Sequence, residues 1–318
     1  MKRLTFLLIA SVCSIILGAC QEKLEWTVSI DQWAQDTTAL KEREKEREKE
    51  QEMIPSYEEL MPLSGHMNPH QQGGDCWGDY FFQFVTNNSV VRVYDLSTKT
   101  LVQTVTIGNS QRGFVSNCHC NTVCFGNEYY DVEDTFPLIY VSTGYAAGGY
   151  TGALVYRITQ HNGIFFITLV QTIKFPVDKS TWTEFVPGEN GFAYLCYTAE
   201  RIIFKVAMPK LGDGDVIITR DDAIETYQFT PQPNWMSTSR NQDRLYYQGK
   251  ILYISGVPPG EASAFVALNL ETLERETIVD FKKLGLKNES ESLFVWQGDL
   301  YVAFVDKIVK LVNFIDTP

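Results

Sequence analysis

The chain has 318 residues, 44% of them hydrophobic and 13% aromatic, enough apolar material for one large core or two modest ones. A formal charge of −12 and an isoelectric point near 4.9 argue against a nucleic-acid surface, because phosphate is repelled over most of such a molecule.

Met1 to Arg3 carry two positive charges, and Leu4 to Leu17 form an apolar run of signal-peptide length, short for a membrane-spanning helix. Residues 1–19 are expected to target the chain rather than to fold. Leu17-Gly18-Ala19-Cys20 resembles the bacterial lipobox, in which small residues admit the peptidase and the cysteine thiol takes the lipid. The resemblance implies a mature protein that begins at an acylated Cys20, with the acyl chains, palmitate among them, holding it to a membrane. Gln21-Glu22-Lys23 adds only a weak acidic export cue, so an outer-membrane lipoprotein facing either the periplasm or the cell surface is expected.

Residues 20–65 read as anchor and tether. Lys41 to Glu52, KEREKEREKEQE, has no apolar stripe with which to dock on a core, and its opposite charges at three- and four-residue spacing support a solvated helix. A coiled coil would need apolar heptad positions that are missing.

From His66 to the end the pattern is all-β. Short stretches rich in Val, Ile, Tyr and Phe alternate with Gly, Asn and Asp turns. The leading strands share a hairpin glycine, at Gly78, Gly249 and Gly298, with Gly191 a looser copy and Pro137 to Tyr140 opening the matching strand after a long loop from Gly126. Four strands repeated about five times predict a β-propeller of five four-stranded blades, or six if an irregular segment hides one. A sandwich would not require so regular a meander. The last unit offers one strand fewer, so an N-terminal strand is expected to complete it, from Leu24 to Ile30 or near Met61 to Met67.

Tyr94-Asp95-Leu96-Ser97-Thr98-Lys99-Thr100-Leu101, with Asn269-Leu270-Glu271-Thr272-Leu273 as a weaker copy, resembles the propeller repeats of the YVTN and quinoprotein-like type. With the lipobox, the chain is similar to Bacteroidales-type lipoproteins that carry a propeller. That likeness implies architecture and no single activity, since the fold serves hydrolases, lyases, carbohydrate binders and scaffolds. The quinone cofactor of some such proteins has no supporting motif here.

Seven residues before Gly78, Gly126, Gly191, Gly249 and Gly298 stand Gln71, His119, Glu184, Gln242 and Glu291, with His70, Gln72, Asn121, Asp243 and Glu289 nearby. Equivalent positions on leading strands converge on a propeller's axis, so these are expected to ring one channel mouth. Such a ring can satisfy itself with water, or bind a glycan, or hold a hard cation such as calcium through oxygen ligands, or serve as a platform for a partner protein. If the protein is an enzyme, Glu184 and Glu291 are the acid and base for glycoside hydrolysis, by analogy with arabinanase-like propellers. Trp77 and Trp296 suggest packing between blades, whereas Trp182 and Trp235, in loops, suit a stacking face for sugar.

Five cysteines follow Cys20: Cys76, Cys118, Cys120, Cys124 and Cys196, an odd number that leaves at least one unpaired within the chain. Cys118-His119-Cys120 with Cys124 admits a zinc reading, set against small buried apolar side chains. No nucleophile elbow, phosphate loop, dinucleotide fingerprint or zinc-protease helix is present.

Overall fold

The computed structural model describes residues 40–42, 54–63, 70–114, 118–144, 146–176, 183–197, 202–230, 241–256 and 263–315. The chain divides into two units, Met1–Ile54 and Pro55–Pro318. In the first, residues 40–42 are helical. Cys20, the strand candidate Leu24 to Ile30 and most of the charged stretch lie outside the described residues, as do Trp182 and Trp235.

The second unit is built of strands. β1 (Ser56–Pro62) comes first, and then β2 (Gln71–Trp77), β3 (Tyr80–Val85), β4 (Val90–Asp95) and β5 (Thr100–Thr106) form one antiparallel sheet in sequence order. The second sheet holds β6 (Val123–Phe125), β7 (Ile139–Ser142), β8 (Tyr150–His161) and β9 (Ile164–Pro176), and the third holds β10 (Thr183–Pro187), β11 (Phe192–Tyr197), β12 (Ile202–Ala207) and β14 (Glu225–Gln228). Between β12 and β14 the chain lends a short β13 (Val216–Ile217) to the second sheet, parallel to β9. The fourth sheet is β15 (Asn241–Tyr247), β16 (Lys250–Ser255), β17 (Ala264–Asn269) and β18 (Arg275–Asp280). The fifth is β19 (Ser290–Trp296), β20 (Asp299–Phe304) and β21 (Lys307–Val312), completed by β1. The fold is thus a propeller of five blades.

β1 pairs with β21 from Ser56↔Val312 to Pro62↔Lys307, so a strand from ahead of the first blade closes the last. The ring therefore begins at residue 56, inside the stretch that composition assigns to the tether. Charge obscured it: Glu58 and Glu59 both face outward in succession, beside a break in register before Met61, which is buried with Phe81, Phe294 and Ile308.

Each blade buries both faces, and an aromatic pair marks each joint. Phe81 stacks on Phe294 between the first and fifth blades at 4.5 Å between ring centroids, and Phe82 meets Phe165 edge-on at 5.5 Å between the first and second. Phe175 and Phe185 join the second and third blades, Tyr194 and Tyr246 the third and fourth, and Phe281 and Phe304 the fourth and fifth. The turns that carry the repeat resemblance work alike: Asp95 Oδ1 accepts the backbone N–H groups of Ser97 and Thr98, and Asn269 Oδ1 those of Glu271 and Thr272.

Truncating Met61 to Ala tests the clasp. By the usual cost of deleting a buried thioether chain, it should lose about 2–4 kcal/mol in urea denaturation; a loss below about 0.5 kcal/mol, the size of an ordinary surface substitution, would show that β1 does not close the ring.

Candidate functional site

The five leading strands β2, β6, β10, β15 and β19 are edge strands, each paired on one side only and facing the others across the axis. Their inward N–H and C=O groups have no sheet partner, and buried backbone groups must find one. Two carboxylates supply it. Asp243 accepts N–H from Arg244 at 2.7 Å, from Leu293 of the fifth blade at 2.9 Å and from Val123 of the second at 3.3 Å. Asp75 accepts N–H from Cys76 and from Phe125 of the second blade, both at 2.7 Å. Asn121 adds a bond from Nδ2 to Asn241 O at 2.9 Å, and the Cys124 thiol donates to Arg244 O. The strands come so close that a Cβ on Gly73 would stand 2.3 Å from Asn121 O.

Of the five residues aligned on the hairpin glycine, only Gln242 and Glu291 stand level. β2, β15 and β19 end in two-residue hairpins closed by Trp77–Tyr80, Tyr247–Lys250 and Trp296–Asp299. Gly249 and Gly298 are second in their loops, each after a glutamine that also has positive φ, whereas Gly78 is first. Alignment on the glycine is therefore one residue out in the first blade, and Gln72, not Gln71, stands level with Gln242 and Glu291. The third blade turns through a longer loop closed by Gly188 and Phe192, which puts Glu184 level with Asp243, one step deeper.

The individual residues fall as follows. Gln71 is buried and donates to Val305 O at 2.9 Å. Gln242 Nε2 donates to Glu289 Oε1 at 2.7 Å and to Gly256 O at 3.2 Å. His70 is exposed, its carbonyl accepting Thr86 N–H, and His119 is half-buried ahead of β6, its N–H on Thr143 O. Glu184 is 1% exposed and its carboxylate pairs with Arg244, whose guanidinium lies 5.0 Å from the Tyr253 ring centre. Burial is the largest influence on Arg244 and opposes its charge, but Glu184 together with Cys196 and Tyr253 more than offsets it and keeps the guanidinium protonated. Glu291 is 2% exposed; burial, with Glu289 and Asp243 nearby, pushes its carboxyl well above the usual range. As an acid–base pair for hydrolysis these two are ill placed, one held in an ion pair and the other enclosed.

The cysteines do not converge. Cys118 and Cys120 lie with sulfurs 3.3 Å apart, while Cys124 faces Arg244. Burial pushes the thiols of Cys76, Cys120, Cys124 and Cys196 up. Among the described residues no group of three Cys, His, Asp or Glu side chains is placed to hold a metal, which removes the zinc reading of Cys118-His119-Cys120 and gives the calcium reading no cluster of acidic or imidazole ligands.

The open concavity lies at the opposite mouth, where the hairpins of the leading strands gather. It measures about 590 Å³ and is lined by Trp77, Trp296, Tyr246, Tyr247 and Phe125, with Asp75 partly exposed on its wall. Trp296 Nε1 donates to Asp79 Oδ1 at 3.0 Å at the rim. Enclosure pushes the Asp75 carboxyl up to about 7, against the lowering effect of its two backbone bonds. Trp77 and Trp296, expected to do no more than pack between blades, face this cavity as well. Sequence reasoning missed Asp75 and Arg244; each is a charge inside a leading strand, in GGDCW and QDRLY, where a two-sided core should have none.

No protein-family model and no curated protein matches the chain. Among solved structures it is similar to a glutaminyl cyclase of Myxococcus xanthus, with 10% identity over 81% of this chain and 96% of that one and a TM-score of 0.49. It is also similar to the quinone-bound aldose sugar dehydrogenase of Streptomyces coelicolor (8% identity, 82% and 98% covered, TM-score 0.42) and to an endo-arabinanase of Bacillus licheniformis (9%, 78% and 96%, TM-score 0.44). Likeness at such identity concerns the fold alone.

Two measurements check the axis. Asp75, Asp243 and Glu291 all have carboxyls raised above their unfolded values, so their contribution to stability is full below about pH 4 and is lost as pH rises through the folded values. The lowered carboxyls, Asp95, Asp222, Glu225 and Glu276, act with the opposite sign but only below about pH 4. Denaturation should therefore show less stability at pH 8 than at pH 5, by on the order of 3 kcal/mol for Asp75 alone; equal stability would contradict the enclosure. Glu184→Gln, which strands the Arg244 charge, should cost about 3–5 kcal/mol, and a neutral result would show the pair to be solvated.

Proposed function

We propose that this chain is a lipoprotein of the bacterial outer envelope, of the Bacteroidales type, acylated on Cys20, and that its propeller is a recognition module which takes its ligand in the hairpin-side cavity. The single observation that carries the binding role is that cavity: about 590 Å³, within the range of small-ligand sites, walled by two indoles and two phenols, with polar groups at its floor and rim. Its walls are hairpin turns anchored in a rigid ring, the arrangement that lets a site be held in shape without moving. A ligand with an apolar face and a few polar atoms, free or displayed on a partner, matches such walls. The anchoring role is supported by Leu17-Gly18-Ala19-Cys20 after the apolar run, and the polar stretch from Lys41 to Glu52 serves as spacer between lipid and ring.

Metabolic labelling with a palmitate analogue and membrane fractionation test the anchor. Wild type should label and sediment with membranes, and Cys20→Ala should do neither; a Cys20→Ala protein that still labels would sink the assignment. Protease treatment of intact cells then distinguishes the surface from the periplasm. For the cavity, ligand-observed NMR against a metabolite and oligosaccharide library should give binders that Trp77→Leu and Trp296→Leu both weaken. Binders indifferent to both changes would place recognition elsewhere on the ring.

A further inference from the structure

The charge of the cavity wall narrows what it takes. Its ionisable side chains are the carboxyls of Asp75 and Asp79 and the thiols of Cys76 and Cys124, besides the phenols of Tyr246 and Tyr247; among the described residues no Lys, Arg or His lines it. Lys205, the base that reaches Tyr246 electrostatically, is occupied by Glu225 at 2.8 Å and lies 4.5 Å from the Phe192 ring centre. Trp77, Trp296, Tyr246 and Tyr247 surround this acidic patch, and the faces of indole and phenol rings carry negative potential. Aromatic faces around a carboxylate, with no competing cation, form a receptor for a positive charge too bulky to be well hydrated.

We infer that the hairpin-side cavity binds an organic ammonium ion, quaternary or methylated, with Trp77, Trp296, Tyr246 and Tyr247 as its aromatic wall and Asp75 and Asp79 as its counter-charges. This deepens the recognition role and rests on the cavity being the ligand site. A neutral sugar would use the same rings but leave both carboxylates without a partner of opposite sign. The carboxyl of Asp75 acts electrostatically on Cys76, Cys124 and Asp243 and accepts one N–H on each oxygen, from Cys76 and from Phe125. Burial holds that carboxyl partly protonated near neutrality, and a cation in the cavity restores its charge.

The probe is choline chloride, measured by tryptophan fluorescence and calorimetry on the full-length protein in a non-ionic detergent. Its control is the neutral isostere in which a quaternary carbon replaces the nitrogen. Choline should bind roughly tenfold or more tightly than the isostere, as a desolvated cation–aromatic contact predicts. Trp296→Leu should weaken it by about tenfold, and Asp79→Asn, an exposed change that leaves the ring intact, by a few-fold. Absence of choline binding, or equal binding of the isostere, overturns the ammonium assignment. If a neutral oligosaccharide binds instead and Trp296→Leu abolishes it, the cavity stands as the ligand site and only its ligand class is wrong. Choline binding untouched by both variants overturns the cavity itself.

Discussion

Five leading strands meet at the axis with one edge each unpaired, so their inward N–H groups need acceptors from outside their own sheet. Asp243 and Asp75 resolve this by accepting from the second and fifth blades as well as from their own. The charge that makes them good acceptors is expensive in an enclosed site, so both carboxyls rise, and the ring gains its connection across the axis at the cost of a stability that depends on pH. Gly73 follows from the same closeness, since any side chain there would run into the carbonyl of Asn121.

Outside this axis the blades are joined by pairs of aromatic rings. Aromatic rings from adjacent blades meet at all five joints, the fourth blade's Phe281 coming from the helical turn after β18, so no blade has a complete core without its neighbours. β1 matters for that reason. It covers the edge of β21 and joins the cluster between the fifth and first blades, turning an open arc of sheets into a closed ring.

The two mouths then differ in kind. At one, Gln72, Asn121, Gln242 and Glu291 are buried, and Glu184 is committed to Arg244. At the other, the two-residue hairpins leave Trp77, Tyr247 and Trp296 half-buried at strand ends on the cavity wall. Shape and chemistry coincide at the second mouth, which is why recognition is assigned there.

The repeat was legible in the chain because its signals are local: alternation of apolar residues, hairpin glycines, and Asx turns such as that of Asp95 need only neighbours in sequence. Those signals determined the propeller and its blade count, and they placed Gln242, Asp243 and Glu291 near the axis. Register was not legible to one residue, since a hairpin glycine can stand first or second in its loop, and the bulges in β2, β15 and β19 shift what lies level with what. The closing strand hid behind glutamates that an exposed edge tolerates. What only the tertiary structure decided is the pairing of charges and rings from different blades: Arg244 with Glu184, Asp243 with Leu293 and Val123, and the indoles of Trp77 and Trp296 on one cavity wall. Such contacts join residues from about 50 to more than 200 positions apart, and closure of the ring, not any local propensity, brings them together.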